Sequence, residues 1–331
     1  MTAKSKNNEH IKIIPQPFNY SFTLMFEEYP EQFIEVLKAP GKFVKKANTQ
    51  VKLPDGKTGE MDCPYIADPD YKTLFERVIV IMEHQRLAVT LPKNIMISNY
   101  AIQGVADEKL PFYALVASHI ESSKHHSEYD RTASFIIRLQ FLDLGERDNW
   151  ERLNSVRNKL KFNKKLSVKA GLNLGIAAVF APEHCAKERT REALHYYQES
   201  EIASKKLEYV LYSVLNCMID AYFDEEKEYQ RMIKMLKEKT SPQTKEKYAM
   251  EIRQEKRLKQ AYSEIDEITI ERDNATAERD DAIAKNDQIT AERDEAYEFI
   301  RNIMPEFEDS ADEGIKKKII HFKRILQNSN A

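Results

Sequence analysis

The chain has 331 residues, of which 32% are charged, and its 51 basic and 54 acidic side chains leave a formal net charge of -3. Because the positive and negative charges nearly cancel, the protein lacks the overall attraction for nucleic acid or membranes that a strongly basic protein has. Any phosphate-binding surface therefore has to be local. The low glycine content, 8 residues, together with the high charge is typical of a helix-rich soluble protein.

The cysteines and the apolar segments indicate the cellular compartment in which we expect the protein. The three cysteines are far apart and form neither a CxxC pair nor an even disulfide set, which favours a reducing environment. Residues 1–15 are polar and lack the apolar segment of a secretory signal peptide. The longest apolar run, residues 174–182, is much shorter than the roughly 20 residues that span a bilayer. We therefore expect a cytoplasmic protein with no membrane partner.

Helical and strand-like segments alternate over the first 150 residues. The spacing of apolar residues predicts a helix over residues 21–37, interrupted by Pro30, and another helix over residues 92–105. Strands are predicted over residues 44–53, 59–67, 77–85, 112–120 and 134–144. The third of these is continuously apolar from Val78 to Met82, which is typical of a strand buried on both faces. This order of elements predicts an α/β fold with one core.

Beyond Asp148 the pattern is helical almost throughout. Long amphipathic helices are predicted over residues 186–238, and residues 244–300 contain neither Gly nor Pro. The predicted organisation is a flexible N-terminus (1–15), an α/β domain (16–150), a helical domain (151–243), a long helix (244–300) and a C-terminal helical tail (301–331).

A seven-residue repeat runs along the long helix. Glu-Arg-Asp recurs at residues 271–273, 278–280 and 292–294, with a degenerate copy at residues 285–287. A period of seven predicts a coiled coil. The apolar columns of the repeat are rich in alanine, however, and do not form a true pair of seam positions. We therefore expect weak self-association, with a dimer favoured.

Acidic side chains occur in two neighbouring predicted strands. Alternation with a period of two places Glu83 and Gln85 on one face of the third strand and His84 on the other. A carboxylate at the end of a buried strand is costly unless it is paired or binds a metal. The preceding strand contains Asp62, which would converge with Glu83 if the two strands are adjacent. Two carboxylates, a backbone carbonyl and waters would form an oxygen-rich site that suits Mg²⁺.

An Asp, a hairpin and then Glu-x-Gln at the end of a buried strand resemble the signature of the PD-(D/E)XK nuclease superfamily. The chain is most similar to its recombination-promoting nuclease and transposase-like branch. The resemblance covers residues 16–150 and includes the opening helix, the turn at residues 53–56 and the two later strands. It implies a restriction-endonuclease-like core, with a mixed sheet flanked by helices, and a Mg²⁺-dependent DNA endonuclease linked to mobile elements or recombination.

The resemblance also assigns roles to individual residues. Asp62 and Glu83 would bind Mg²⁺ or Mn²⁺, and the backbone carbonyl of His84 would complete the protein ligands. Gln85 would be catalytic in place of the family's lysine, which positions the attacking water. A neutral Gln can hydrogen-bond that water but supplies no charge.

The sequence departs from the branch at several positions. Asn19 and Thr23 stand where the branch usually has Asp and Lys, and no Arg occurs at residues 97–100, where the branch commonly has one. These losses of charge leave open a second function: a catalytically inactive nuclease-like module that binds DNA or protein and assembles through its helical tail.

Structural interpretations of the same residues also stay open. Asp62 and Glu83 could form ordinary ion pairs with Arg77, Lys72 or Arg86, since such pairs are common at strand ends. The imidazole of His84 is expected to pack in the core. A surface loop is predicted around residues 125–126.

Residues 152–182 contain seven basic residues and no acidic one. Such a cluster binds the phosphate backbone of DNA without reading its sequence. The residues that we assign to DNA binding are Arg157, Lys159, Lys161, Lys164, Lys165 and Lys169. The alternative is a solvated helix face with no ligand.

Overall fold

The structure of the protein is a computed structural model that describes residues 16–52, 58–70, 76–125, 128–132, 135–310 and 312–328. The expected flexible N-terminus (1–15), the predicted turn at residues 53–56, Lys72 and His126 lie outside the described residues.

The chain divides into two compact units, the first ending at Arg253 and the second beginning at Gln254. Helices of the first unit are α1 (Pro17–Glu28), α2 (Pro30–Leu37), α3 (Leu91–Glu108), α4 (Glu146–Phe162), α5 (Val168–Val179), α6 (Ala186–Glu199), α7 (Lys205–Tyr222), α8 (Glu226–Lys239) and the start of α9 (Pro242–Ser310). Its strands are β1 (Lys42–Lys46), β2 (Gln50–Lys52), β3 (Thr58–Glu60), β4 (Cys63–Asp68), β5 (Val78–Gln85), β6 (Phe112–Ser118), β7 (Glu128–Thr132), β8 (Phe135–Arg138), β9 (Gln140–Asp143), β10 (Lys165–Leu166) and β11 (Glu201–Ile202). The prediction of an α/β fold that is mostly helical is confirmed.

A mixed sheet with the strand order β1-β4-β5-β6-β9 lies at the centre of the first unit. The pairs β1–β4 and β4–β5 are antiparallel, whereas β5–β6 and β6–β9 are parallel. The central strand β5 is apolar on both faces because each face meets a different core. Val80 and Met82 point into the larger core, and Ile79 and Ile81 point into a smaller core with α3.

Three of the predicted strands are interrupted. The first predicted strand is divided into β1 and β2, and the second into β3 and β4, in each case in two different sheets. The second break falls at Met61, whose N–H donates to Thr49, and at Asp62, whose N–H donates to the Glu83 carboxylate. Here the chain leaves the β2–β3 hairpin for the central sheet. The third break is at Leu139, where β8 remains with β7 and β9 joins the central sheet.

One apolar core joins the segments before and after residue 150. It contains Phe22 of α1, Tyr65 of β4, Leu174 of α5 and Leu211 of α7. A Cβ on Gly175 would lie 2.7 Å from the sulfur of Met25, so the glycine allows α5 to approach α1 closely. The predicted α/β segment and the predicted helical segment thus share a single core.

The second unit contains the rest of α9 and helix α10 (Glu313–Asn328). Helix α9 continues through Pro305 to Ser310. The isoleucines of the repeat, such as Ile268 and Ile289, are exposed. Arg and Asp of the same repeat copy form ion pairs, as between Arg272 and Asp273 at 3.1 Å. Among the described residues, no helix combines the length and the apolar character that crossing a membrane requires.

Arg152, one of the seven basic residues, has a structural position. Its side chain is 7% exposed, and the guanidinium donates to Asp148 at 3.1 Å, to the carbonyl of Val36 at 3.1 Å and to Asn173 at 2.7 Å. These bonds connect α2, α4 and α5. Arg152 therefore orders the fold rather than facing a ligand.

We expect Arg152→Met to lower the free energy of unfolding by about 3 kcal/mol, because it leaves buried acceptors without a donor. The midpoint of urea denaturation measures this loss. Arg147→Met is the matched control, since the Arg147–Glu151 pair on the same helix is exposed and should change stability by less than about 1 kcal/mol. Equal effects of the two substitutions would contradict the structural role.

Candidate metal centre

Asp62 and Glu83 are brought together by the antiparallel pairing of β4 and β5. Cys63 lies opposite Met82, so Asp62 immediately precedes β4 at the point where Glu83 approaches the end of β5. The backbone N–H of Asp62 donates to Oε1 of Glu83 at 3.2 Å, and the N–H of His84 donates to Oδ2 of Asp62 at 2.8 Å. The two carboxylates thus converge at one end of the sheet, as the adjacency of the strands required.

Helix α1 adds an amide to this cluster. Nδ2 of Asn19 donates to Oδ1 of Asp62 at 2.9 Å. The other polar atom of the amide, Oδ1, is buried and accepts no hydrogen bond within the described part of the chain. One turn further along α1, Thr23 hydrogen-bonds the thiol of Cys63. Asn19 and Thr23, the two positions at which the resemblance led us to expect charged residues, therefore lie beside the candidate centre.

A lysine that the sequence reasoning missed also reaches the centre. Nζ of Lys93, in the first turn of α3, lies 3.6 Å from Oε2 of Glu83. Two of the ion-pair partners considered from the sequence lie elsewhere: Arg77 is 3.8 Å from Asp68, and the guanidinium of Arg86 covers the ring of Phe18 at 3.7 Å.

The sequence did contain a signal for Lys93. It stands beside Pro92 at the start of the helix predicted directly after β5. A short connection keeps the start of that helix near the end of the strand, so its first-turn side chains were candidates to face Glu83.

Burial dominates the electrostatics of the two carboxyls. Glu83 is 2% exposed, and burial raises its pKa, as does the charge of Asp62, while Lys93 opposes the rise. Burial also raises the pKa of Asp62, against the hydrogen bonds from His84 and Asn19 and the charge of Lys93. Ionising both of these buried, neighbouring carboxyls is costly, and a cation bound by both would stabilise their ionised forms.

His84 and Gln85 differ in what they face. The imidazole of His84 packs against Phe22 and Phe180, with ring centroids 5.4 Å and 5.1 Å away, and burial lowers its pKa to about 3. The predicted core position of this side chain is confirmed, and the imidazole stays neutral. Gln85 is half-buried on the same strand face as Glu83 and lies beside Ser118 of β6.

The donor set fits a hard divalent cation that retains water. Among the described residues, no group of three or more His, Cys, Asp or Glu side chains is placed to hold a metal ion. The centre therefore offers Asp62, Glu83 and the predicted backbone carbonyl of His84. Mg²⁺ commonly binds through one or two carboxylates and keeps several waters. The unpartnered Oδ1 of Asn19, next to Asp62, is an acceptor that such a water would satisfy.

The predicted DNA-binding side chains lie on and beyond the C-terminal half of α4. All six are exposed: Arg157, Lys159, Lys161, Lys164, Lys165 and Lys169. Lys169 is paired with Glu35 of α2. The structure shows no ion pair for the other five within the residues it describes.

The surface-loop prediction is wrong for His125. Its ring is buried and stacked on Phe141 at 4.4 Å. Its Nδ1 accepts a hydrogen bond from the N–H of Val89 at 2.9 Å, and this bond holds the segment between β5 and α3 in place. A short-range polar pattern did not reveal this long-range partner.

Comparisons with known proteins identified no similar protein. No protein-family model matches the chain, and neither the curated proteins nor the solved structures contain a match.

Proposed function

We propose that this protein is a Mg²⁺-dependent DNA endonuclease with a PD-(D/E)XK-like core. One observation carries the proposal: the buried carboxylates of Asp62 and Glu83 converge from the start of β4 and the end of β5, beside the ammonium of Lys93. The finer fold assignment has support from the sheet, in which an antiparallel β4–β5 hairpin is followed by α3 and a parallel β6.

Each residue then has a chemical role in phosphodiester hydrolysis. Asp62, Glu83 and the carbonyl of His84 would hold the cation. Bound there, Mg²⁺ or Mn²⁺ would lower the pKa of a water and stabilise charge on the scissile phosphate. Gln85 would hydrogen-bond the attacking water. Lys93 would supply the positive charge that Gln85 lacks, from a helix instead of from the strand.

The long helix fits the same proposal through assembly. Its heptad repeat supports a dimer in which two centres act on one DNA molecule. The link to mobile elements or recombination rests on the resemblance of residues 16–150 alone.

The second candidate is a catalytically inactive module that binds DNA or protein. Three contacts favour it: Lys93 already lies beside Glu83 without a metal, and both oxygens of Asp62 already accept hydrogen bonds, from Asn19 and from the N–H of His84. In this case the cluster would be a structural ion pair, and the helical tail would be the assembly device.

Nicking of supercoiled plasmid separates the two candidates. We expect nicking by the wild-type protein with Mg²⁺ or Mn²⁺ and none with EDTA. A matched preparation of Asp62→Asn controls for a contaminating nuclease. Equal nicking by the two preparations would remove the centre from the reaction, and no nicking by wild type with retained DNA binding would establish the inactive module.

A further inference from the structure

The outer face of α4 exposes two aromatic side chains. Trp150 is 52% exposed and Phe162 is 92% exposed. They lie twelve residues apart with Asn154 and Asn158 between them, so the four side chains recur every four residues along one side of the helix. An open groove runs along this side, lined by Trp150, Glu151, Asn154, Ser155, Asn158, Lys159 and Phe162.

The fold does not need these aromatic side chains. Helix α4 packs against the core through its opposite side, where Asn149, Leu153 and Val156 are buried. The two rings stand at opposite ends of one open groove whose other lining residues are polar or charged. This common groove, rather than the exposure of either ring alone, points to an interaction surface.

The charge around Phe162 points to the occupant. Five exposed cations lie on the C-terminal half of α4 and just beyond it: Arg157, Lys159, Lys161, Lys164 and Lys165. Residues 152–182 contain no acidic residue, and none of the five cations forms an ion pair within the described residues. The nearby carboxylates are Glu151, which lines the groove, and Glu201, which lies beside Lys165 in the β10–β11 pair, so the cations outnumber them. A polyanion complements this surface, whereas a second copy of the same basic segment would be repelled.

We propose that the outer face of α4 binds single-stranded nucleic acid. Bases would stack on Trp150 and Phe162, and the neighbouring cations would bind the phosphates. This pairing of aromatic platforms with a basic track is how proteins hold unpaired strands. A duplex would use the cations but would leave the rings without stacking partners. Twelve residues of helix rise roughly 18 Å, which leaves room for several nucleotides between the two rings.

Helix α4 begins near the end of the sheet at which the candidate centre lies. Gln85 lies beside Ser118, Ser118 lies beside Asp143, and Gly145 caps the N-terminus of α4 two residues later. Two strand spacings amount to roughly 10 Å. The inference names the substrate class of the proposed nuclease and in that respect rests on the proposed function. Binding itself does not require cleavage.

The fluorescence of Trp150 reports occupancy directly, because it is the single tryptophan of the chain. The experiment uses full-length Asp62→Asn protein in EDTA, titrated with a thymine oligonucleotide about 20 nucleotides long. We expect saturable quenching and weaker binding to a duplex of equal length. A uracil oligoribonucleotide serves as a second arm, and a preference between the two identifies DNA or RNA as the ligand.

Two variants test the parts of the surface separately. Phe162→Ala should weaken binding of the oligonucleotide by about tenfold, since it removes one stacking platform. The matched control is Phe299→Ala, which removes an exposed ring from α9. Replacing Lys164 and Lys165 by Gln should reduce the salt dependence of binding by about 1.4 in the logarithmic slope. Lys227 and Lys237, exposed on α8, provide the control pair.

Three results would overturn the inference: no quenching by either oligonucleotide, equal binding of the duplex, or equal loss of affinity in Phe162→Ala and Phe299→Ala. A change in Trp150 fluorescence that depends on protein concentration alone would instead identify a self-association surface. Because the protein used cannot cleave, failure here leaves plasmid nicking untouched. Failure of nicking likewise leaves the binding result intact.

Discussion

Glu83→Gln is expected to reduce plasmid nicking by about a thousandfold or more and, at the same time, to stabilise the metal-free protein at alkaline pH. Gln has the shape of a protonated Glu but carries no charge, so it removes a cation ligand. It also removes the need to ionise a carboxyl that is 2% exposed and next to Asp62.

The sign of the stability change follows from the direction of the pKa shift. Burial raises the pKa of Glu83 in the folded protein above the value of about 4.3 for an unfolded chain. The stability that goes with a raised carboxyl pKa is complete below the unfolded value and is lost as the pH rises through the folded value. Gln cannot ionise, so Glu83→Gln does not lose this stability as the pH rises. The free energy of unfolding of the variant should exceed that of wild type by about 1–2 kcal/mol at pH 9 and by almost nothing at pH 5.

Thermal unfolding with EDTA and with Mg²⁺ measures both effects. Mg²⁺ should raise the Tm of wild type, because a ligand that binds only the folded state stabilises it, and it should leave the Tm of Glu83→Gln unchanged. Glu60→Gln, an exposed Glu in the neighbouring strand β3, is the matched control and should behave as wild type. A Glu83→Gln protein that is less stable than wild type at every pH would show that the carboxylate serves the Lys93 ion pair and not a metal.

The central strand and the first helices could be predicted from sequence because short-range patterns determine them. The apolar block before Glu83 predicted β5 to within one residue of its observed start, and Pro30 separates α1 from α2 as expected. The interruptions at residues 47–49, 61–62 and 139 had no such signal. They arise where a strand changes its partner, and pairing between distant segments is not contained in local alternation.

The same distinction applies to the candidate centre. Alternation, which is readable from sequence, places Glu83 on one face of its strand. Its convergence with Asp62 also needs the pairing of β4 with β5, which the sequence left as a condition and the structure shows. The contacts of Asn19 and Lys93 depend on how α1 and α3 pack against the ends of β4 and β5. The exposure of Phe162 likewise depends on which side of α4 meets the core. Helical periodicity predicts that a helix forms but not which apolar residues remain uncovered.

Lys93→Met is expected to lower the nicking rate by about a hundredfold, the size of effect found for a single charged or hydrogen-bonding group that stabilises a transition state. Nζ of Lys93 lies 3.6 Å from Glu83, whereas Gln85, to which the proposed resemblance assigns the role of the family's lysine, carries no charge. If Lys93 supplies the missing charge, its loss should lower kcat and leave KM for DNA almost unchanged. Lys124→Met, which removes an exposed ion pair with Glu121, is the control and should retain full activity.

Moving the charge back to the strand provides the second half of this test. In the Lys93→Met background, Gln85→Lys places an ammonium two residues after Glu83 on the same face of β5. We expect the double variant to nick plasmid at least about tenfold faster than Lys93→Met alone. In the wild-type background the same substitution should help little, because two cations would then compete for one carboxylate. Rescue in the first background and not in the second would mean that one positive charge is required and that either element can deliver it. If Lys93→Met retains full activity, Lys93 only neutralises Glu83 before the metal binds, and the attacking water depends on Gln85 alone.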